Sequence, residues 1–124
     1  MSHITKVKTQ LKDGVILRTS LKKLGYLIKE GRSGDPGKAK DLEFSARKGG
    51  TRIGFKRSGE NSDVYEMLAD WQAMREHRED VLKGIYQIYS QEKILHLARM
   101  KGYSLIKDRI NEKGQIEMVL RKAI

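Results

Sequence analysis

The feature that most constrains the fold of this chain is an alternating run of residues on each side of a Gly-Gly pair. Every second residue from 42 to 46 is apolar, and β-branched or aromatic side chains take every second place from 51 to 55. A period of two puts such side chains on one face of a strand, and two glycines readily form the tight turn of a hairpin. The sequence therefore predicts a hairpin that turns at Gly49 and Gly50, and with it an antiparallel sheet.

The segment before this hairpin predicts a strand, a helix and a second strand. β-branched residues between lysines favour a strand within residues 3–10, and Asp13 can cap a helix over residues 14–24. Gly25 suits the left-handed position that follows a helix, and Tyr26 can fold back on the last helical turn. The residues after Tyr26 then resume an extended segment.

The second half of the chain predicts a long helix and another hairpin. Residues 64–71 fit either a helix or a strand, because their apolar residues match both periods. An apolar stripe over residues 76–101 predicts a helix. Alternating apolar residues on both sides of the turn-rich segment 111–114 predict a second hairpin, which we expect to help complete the core.

Two stretches of the chain resemble each other. Residues 21–30 and 97–108 each contain a helix end, a Gly-Tyr pair and a strand that ends in Lys and an acidic residue. One interpretation is an internal duplication, which would pack two helices on one antiparallel sheet. The other is that a Gly-Tyr pair after a basic helix end is favourable capping chemistry, since cations stabilise the C-terminal end of the helix dipole.

Together these elements predict one α+β domain over residues 1–124, with a mainly antiparallel sheet and two principal helices packed on one face. A chain of 124 residues can bury one substantial core but not two. The absence of cysteine excludes disulfides, thiol nucleophiles and cysteine zinc sites. The N-terminus has no apolar signal segment, and no run approaches the roughly 20 apolar residues of a membrane span, so we expect a cytoplasmic protein that does not enter a membrane.

Residues 31–40 cannot hold a helix or a central strand. They contain the only proline and three glycines, so we expect a flexible surface loop. Gly37 and Lys38 match part of a phosphate-binding P-loop, but Arg32 stands where that motif has Gly and Ala39 stands where it has Ser or Thr. The sequence therefore does not predict a nucleotide site.

All of the excess positive charge lies in the first half of the chain. Residues 1–57 hold 15 Lys or Arg against five Asp or Glu, whereas residues 58–124 hold 11 of each kind. A contiguous basic half favours a face that binds an acidic protein partner or a polyanion. The candidate contact residues come from the first strand, the loop and the hairpin: Lys6, Lys8, Arg32, Lys38, Lys40, Arg47, Lys48, Arg52, Lys56 and Arg57.

The sequence also resembles a known family nearly from end to end. The resemblance is carried by residues 1–9, 23–26, 53–57, 65–71, 102–103 and 113–121. On these stretches the chain is similar to the hypothetical chloroplast reading frame thirty-five family, a cyanobacterial, plastid and broader bacterial domain of unknown function. It departs from that pattern at Tyr89-Ser90-Gln91 and in its last three residues. The resemblance implies that the ambiguous stretch 65–71 is a strand, and it implies no activity.

Residues that could carry out catalysis are few. His77 and His96 lack the i, i+4 spacing of a helical metal pair, and the sequence predicts no metal site, no cofactor and no catalytic residue. Glu66 and Asp70 would share one face of a strand, where paired carboxylates can do acid-base or Mg²⁺ chemistry. The alternative is that they line a solvated face while their neighbours form the core. The candidate functional residues are His3, Glu66, Asp70 and Trp71.

The sequence therefore favours a non-enzymatic accessory or adaptor domain that docks on a larger protein assembly through the basic face in residues 1–57. The alternative is sequence-independent binding of RNA or DNA by the same face, with an affinity that falls steeply with salt. Against nucleic acid, Phe44 and Phe55 alternate as core residues and are not interleaved with the cations. An enzyme that uses Asp70, Glu66 and His3 is a third hypothesis.

Overall fold

The computed structural model describes residues 4–31, 42–58, 63–72 and 77–122. In this part of the chain there are two helices and seven strands in the following order: β1 (Ile4–Lys8), α1 (Gly14–Lys23), β2 (Leu27–Glu30), β3 (Phe44–Lys48), β4 (Thr51–Arg57), β5 (Tyr65–Asp70), α2 (Arg78–Met100), β6 (Tyr103–Ile110) and β7 (Ile116–Lys122). The predicted loop 31–40 lies outside the described residues except for Gly31.

Helix α1 begins at a capping aspartate, as predicted. The Asp13 carboxylate accepts hydrogen bonds from the backbone N–H groups of Val15 and Ile16, each at 3.0 Å. These donors have no partner within the first helical turn, so the cap satisfies them and fixes where the helix starts.

The same helix ends at the predicted Gly-Tyr pair. Gly25 has φ of 98°, and its N–H donates to the Lys22 carbonyl at 3.0 Å. The Tyr26 N–H donates to the Leu21 carbonyl at 2.9 Å. This pair of bonds is a Schellman motif, which closes the helix and directs the chain into β2.

The hairpin around Gly49 and Gly50 is confirmed. Lys48 pairs with Thr51 across the turn, and Gly49 has φ of 56°. Phe44 of β3 lies opposite Phe55 of β4, and their rings stack with centroids 4.8 Å apart. The alternation of the two runs therefore buries one face of both strands, as the sequence predicts.

The ambiguous stretch is strand β5, so the helical alternative is wrong. Tyr65, Met67 and Ala69 are fully buried, whereas Glu66 and Asp70 between and after them are half-buried. The strand pairs with β1 on one side and β4 on the other. Periodicity fitted both structures, and the hydrogen-bonded pairing with these two neighbours is what holds the segment in an extended conformation.

The main sheet has five antiparallel strands in the order β1-β5-β4-β3-β2, and both helices pack on one of its faces. The core lies between the sheet and the helices, and it contains Leu17 and Leu21 of α1, Ile85 and Tyr89 of α2, and Phe55 of β4. The α+β fold class with two helices on one face of an antiparallel sheet is confirmed.

The second hairpin does not join the main sheet. Strands β6 and β7 form a separate two-stranded sheet, and the core cluster of the described residues contains none of their side chains. Gly102, with φ of 81°, turns the chain back along α2, where the Gln87 side-chain amide donates to the Gly114 carbonyl at 2.6 Å. The hairpin therefore lies along the helix instead of joining an edge of the main sheet.

The structure does not show an internal duplication. Both Gly-Tyr pairs follow a helix and precede a strand, but β2 belongs to the main sheet and β6 to the separate one. Gly25 and Gly102 both have positive φ, as the capping interpretation of residues 21–30 and 97–108 expects.

Candidate docking face on the sheet

One face of the main sheet carries the charged residues, and the other carries the core. Side chains alternate between the faces of a strand, so the strand registers assign each residue to a side. Both helices pack on the core side. We call the opposite side the open face, and its described residues are Ile4, Lys6, Lys8, Leu27, Lys29, Ser45, Arg47, Arg52, Gly54, Lys56, Glu66, Leu68 and Asp70.

The centre of the open face is formed by buried uncharged residues, whereas its borders are charged. Leu68 of β5 lies opposite Lys6 of β1 and Gly54 of β4, and Gly54 lies opposite Ser45 of β3. Lys29 of β2 lies opposite Ser45 and completes this cross-strand row. The three residues in the middle of the row are buried, whereas Lys6 and Lys29 at its two ends are exposed. The row therefore ends in a cation on each side of the sheet.

A second cross-strand row places a carboxylate between two cations. Glu66 lies opposite Lys8 on β1 and opposite Lys56 on β4. Opposite charges that face each other across strands attract, so Glu66 stabilises this part of the face.

The third row brings two like charges together. Arg47 of β3 lies directly opposite Arg52 of β4, and both side chains are exposed. Directly opposed like charges destabilise a strand pair. In the described residues, the open face as a whole carries six Lys or Arg against two carboxylates.

The structure brings five of the predicted contact residues onto this face, namely Lys6, Lys8, Arg47, Arg52 and Lys56. Lys29 joins them, and sequence reasoning missed it. Its signal was the alternation with Ile28, whose side chain packs against the core. Arg32, Lys38, Lys40 and His3 lie outside the described residues.

Two predicted contact residues lie on the helix side of the sheet instead. Lys48 lies over the Tyr26 ring, with its ammonium 5.8 Å from the ring centre. The Arg57 guanidinium lies 4.0 Å from the centre of the Tyr65 ring and donates to the Lys12 carbonyl at 2.7 Å. Arg57 is thus committed to internal contacts, so we leave it out of the docking face.

The carboxylate pair considered for catalysis is spread along its strand. Glu66 and Asp70 share the open face, as predicted, but they are four steps apart along the strand, which separates their Cα atoms by about 13 Å. That span is too long for the two carboxylates to hold one ion between them. Trp71 packs against the core, and its indole Nε1 is buried without a hydrogen-bond partner in the described part of the chain.

No three His, Asp or Glu side chains come together as a metal site within the residues that the structure describes. His77 and His96 are both exposed.

Sequence reasoning also missed a cluster of charged residues on the helix side of the sheet. The Arg18 guanidinium binds Glu30 through two hydrogen bonds, at 2.8 and 2.9 Å, and donates to Glu43 at 3.2 Å. Glu43 also accepts from the Tyr65 hydroxyl and lies 3.7 Å from the Arg57 guanidinium. We call these five residues the Glu43 cluster. The two acids that Arg18 binds lie 12 and 25 residues away from it in sequence. No local sequence motif could therefore predict the cluster.

The contacts in the Glu43 cluster shift the pKa values of its members. Burial raises the pKa of the Tyr65 phenol to about 12, and the hydrogen bond to Glu43 adds to the increase. The hydrogen bonds from Arg18 lower the pKa of Glu30, and those bonds also raise the pKa of Arg18. Tyr65 is therefore neutral and the Arg18–Glu30 pair ionised near neutral pH, which suits a structural role.

The Glu43 cluster also fixes the two ends of the segment that the structure does not describe between β2 and β3. The Gly31 N–H donates to the Glu43 carbonyl at 2.8 Å. The side chain of the same glutamate is held by Arg18 and Tyr65. Gly31, just after β2, and Glu43, just before β3, are therefore held together by a backbone hydrogen bond.

Comparison with known proteins identifies a family without a known activity. A family model described as "Protein of unknown function (DUF1257)" matches residues 20–119. This match confirms the expectation of a domain of unknown function, whereas the plastid reading-frame name and the taxonomic range remain predictions. Neither a curated protein nor a solved structure matches the chain. In the described residues, neither helix is long and apolar enough to cross a membrane.

Proposed function

Because the chain belongs to the DUF1257 family, for which no function is known, we propose its function from the open face: a non-enzymatic adaptor domain that docks on an acidic surface of a larger protein assembly. The open face is the contact surface in this proposal. Its cations bind carboxylates of the partner, and its two carboxylates set the orientation of the complex.

The opposed pair of Arg47 and Arg52 is the observation that carries this proposal. Two exposed guanidinium groups directly opposite each other repel and cost stability in the free protein. A partner carboxylate placed between them would relieve that repulsion and form charge-assisted hydrogen bonds with both. Such an arrangement gains more from an anion than two isolated arginines would.

The position of Glu66 favours a protein over a nucleic acid. Glu66 stands between Lys8 and Lys56, where a continuous phosphate backbone would meet a negative charge. A protein surface can place a Lys or Arg there, so charges of both signs on the open face can be matched. The described positions of this face also carry no aromatic side chain on which bases could stack.

Sequence-independent binding of RNA or DNA is the second candidate. The net positive charge of the open face supports nucleic-acid binding, since its described residues include six cations and only two carboxylates. Binding of this kind would release counterions and weaken steeply as salt rises.

The test compares two full-length variants that carry the same change in net charge. The open-face variant has Lys6→Glu, Arg52→Glu and Lys56→Glu. The control variant has Lys83→Glu, Lys113→Glu and Arg121→Glu, which are exposed cations outside this face. Circular dichroism and thermal unfolding establish that both variants fold.

Each protein is immobilised and used to capture proteins from a nuclease-treated extract of the source cells, with quantification by mass spectrometry. We expect the wild type and the control variant to retain the same acidic protein and the open-face variant to lose it. Equal capture by both variants would overturn the choice of surface.

The nucleic-acid candidate is tested by titrating fluorescent RNA and DNA at several salt concentrations. Tight, salt-sensitive binding that only the open-face variant loses, together with no specific protein capture, would replace the adaptor proposal by nucleic-acid binding. Absence of binding at low salt would eliminate that candidate.

We also propose that the adaptor acts in the cytoplasm without contact with a membrane. Fractionation of the source cells, followed by immunodetection of the chain in the cytosolic and membrane fractions, tests this. Recovery with the membrane fraction would contradict it.

A further inference from the structure

A groove lies on the helical side of the molecule, away from the open face. It runs between the segment that follows β1 and the second half of α2, and its volume is about 350 Å³. Leu11, Tyr86, Tyr89, Ile94 and Leu97 contribute most of its apolar lining. A concave, mostly apolar surface of this size is typical of a site that receives a ligand side chain or a short segment.

Two tyrosine hydroxyls hold the groove open in the free protein. The Gln10 N–H donates to the Tyr86 hydroxyl oxygen at 2.8 Å, and the Asp13 N–H donates to the Tyr89 hydroxyl oxygen at 2.9 Å. These bonds attach the segment after β1 to α2 at two points. The walls of the groove are therefore fixed before any partner arrives, which reduces the entropy lost on binding.

The apolar surface continues from the groove towards the end of the helix. Ile94, Leu97 and Met100 recur every three residues, so they form one stripe on α2. They are 45, 47 and 73% exposed, respectively. A contiguous apolar stripe on an otherwise highly charged chain is typical of an interaction site.

The charges next to this stripe are positive. Lys93 lines the groove itself, and residues 93–101 contain Arg99 and Lys101 but no Asp or Glu. Glu92, just before them, is paired with Lys23 of α1. An apolar stripe with cations along it matches a segment that combines apolar and acidic side chains.

A second copy of this chain fits the groove poorly. The chain has a net charge of +10, and a copy that presented the same stripe would bring Lys93 and Lys101 against their own counterparts. Charge complementarity thus selects a different, acidic molecule.

We propose that this groove is a second docking site, which binds an acidic amphipathic segment of a partner protein. An apolar side chain of the segment enters between Leu11 and Leu97, and its neighbours cover Ile94 and Met100. A carboxylate of the segment pairs with Lys93. The Tyr86 hydroxyl, which accepts from Gln10, directs its own hydrogen towards a carboxylate or carbonyl of the segment.

The probe for this proposal is a phage-displayed library of random peptides about 16 residues long, enough for several helical turns. The library is selected on the immobilised full-length chain, and the enriched peptides are synthesised for affinity measurements. We expect the enriched peptides to be net acidic and to carry two or more large apolar residues at spacings of three or four.

Three variants locate the binding site of those peptides. Leu97→Asp and Lys93→Glu should each weaken binding about tenfold or more, since they remove the apolar anchor or its charge partner. Val15→Asp is the control, because Val15 is an exposed apolar residue of α1 with 75% exposure and does not line the groove. The Val15→Asp variant should leave the peptide affinity unchanged. If Leu97→Asp perturbs folding, Lys93→Glu alone still tests whether the peptides bind in the groove.

Three results of the peptide experiment would overturn the proposal. They are a selection that enriches no sequence, enriched peptides that are net basic, and peptides whose affinity neither Leu97→Asp nor Lys93→Glu changes. A dimer in sedimentation that Leu97→Asp abolishes would also overturn it, because the occupant would then be a second copy. All open-face cations are intact in these variants, so the result is independent of the adaptor proposal.

Discussion

The two hairpins of this protein have similar sequence signals and different surroundings. Strands β3 and β4 lie inside the five-stranded sheet, where Phe44 and Phe55 are fully buried and stacked. Strands β6 and β7 stand apart along α2, where Ile110 and Val119 are 55 and 49% exposed. Alternation and a good turn therefore determine which strands pair, whereas neighbouring strands and helices determine what becomes buried.

The same contrast extends to the halves of the molecule that the hairpins represent. The first half contributes four strands of the main sheet, α1 and four of the five residues of the Glu43 cluster, whose fifth member is Tyr65 of β5. The second half contributes β5 to the main sheet, but its hairpin is held mainly by α2. We expect substitutions to be costly in the main sheet and the Glu43 cluster and mild in the second hairpin. The first three measurements below each compare a matched pair of substitutions, and the fourth tests one ion pair of the Glu43 cluster.

The largest difference is expected between Phe55→Ala and Val119→Ala. Phe55 is fully buried and its removal leaves a cavity beside Phe44 and Tyr65, so we expect a loss of about 3–5 kcal/mol in the free energy of unfolding. Val119 is half exposed, and its truncation should cost less than about 1 kcal/mol. Urea unfolding of both variants measures the difference. Similar losses would show that the second hairpin is as well packed as the first.

A glycine in each helix gives the next comparison. A Cβ on Gly14 of α1 would overlap the Tyr65 hydroxyl, which is held in the Glu43 cluster, so Gly14→Ala should destabilise by about 1–3 kcal/mol. Gly84 of α2 has no atom near the corresponding position, so Gly84→Ala should stabilise by about 1 kcal/mol through helix propensity. Opposite signs in thermal unfolding are the expected outcome. If Gly14→Ala stabilised the protein, the Tyr65 hydroxyl would be able to move away from the new Cβ at little cost in free energy.

Polar contacts offer a third matched pair. Tyr65→Phe removes the hydroxyl that donates to Glu43 and leaves a partly buried carboxylate with one donor fewer, at a cost of about 1–2 kcal/mol. Glu117→Gln weakens the exposed pair with Arg109 in the second hairpin and should cost less than about 1 kcal/mol. Both are measured by urea unfolding near neutral pH. A larger effect at Glu117 would reverse the ranking of the two regions.

The smallest effect concerns the pH dependence of stability. Arg18 lowers the pKa of Glu30 below its usual value of 4.5, so the unfolded state binds a proton more readily than the folded state. The stabilisation is therefore present above pH 4.5 and is lost as the pH falls through the folded pKa. Since Glu30 is largely exposed, we expect less than about 1 kcal/mol.

Comparing wild type with Glu30→Gln by urea unfolding at neutral pH and near pH 3 isolates this contribution. The difference in unfolding free energy should be present at neutral pH and shrink in acid. A difference that stays constant over this range would assign the effect of the substitution to something other than ionisation.

Local chemistry was enough to predict most elements of this fold from the sequence. Asp13 and Gly25 correctly predicted the two ends of α1, because helix capping depends only on residues within one turn of the helix end. The turn at Gly49 and the alternation of apolar and polar residues on both sides of it predicted the first hairpin. Residues 64–71 needed the family resemblance, since periodicity alone left helix and strand open.

The candidate site was predictable only in part, because it depends on strand order. The sequence indicated that basic residues gather in the first half, but the contacts that withdraw Arg57 from the docking face, with the Tyr65 ring and the Lys12 carbonyl, form only in the tertiary fold. Lys29 joins the face through the pairing of β2 with β3, two strands that lie 13 residues apart in sequence. The groove beside Leu97 was not foreseen, because Leu11 and α2 meet only through the tertiary fold.

The hydrogen bond between Gly31 and Glu43 continues the pairing of β2 with β3 by one step beyond Glu30 and Phe44. Each of these paired residues is held by a partner on the other strand, from Leu27 opposite Arg47 to Gly31 bonded to Glu43. An affinity tag or fluorescent reporter inserted between residues 32 and 41 would leave all of these pairs in place, so we expect the sheet still to form.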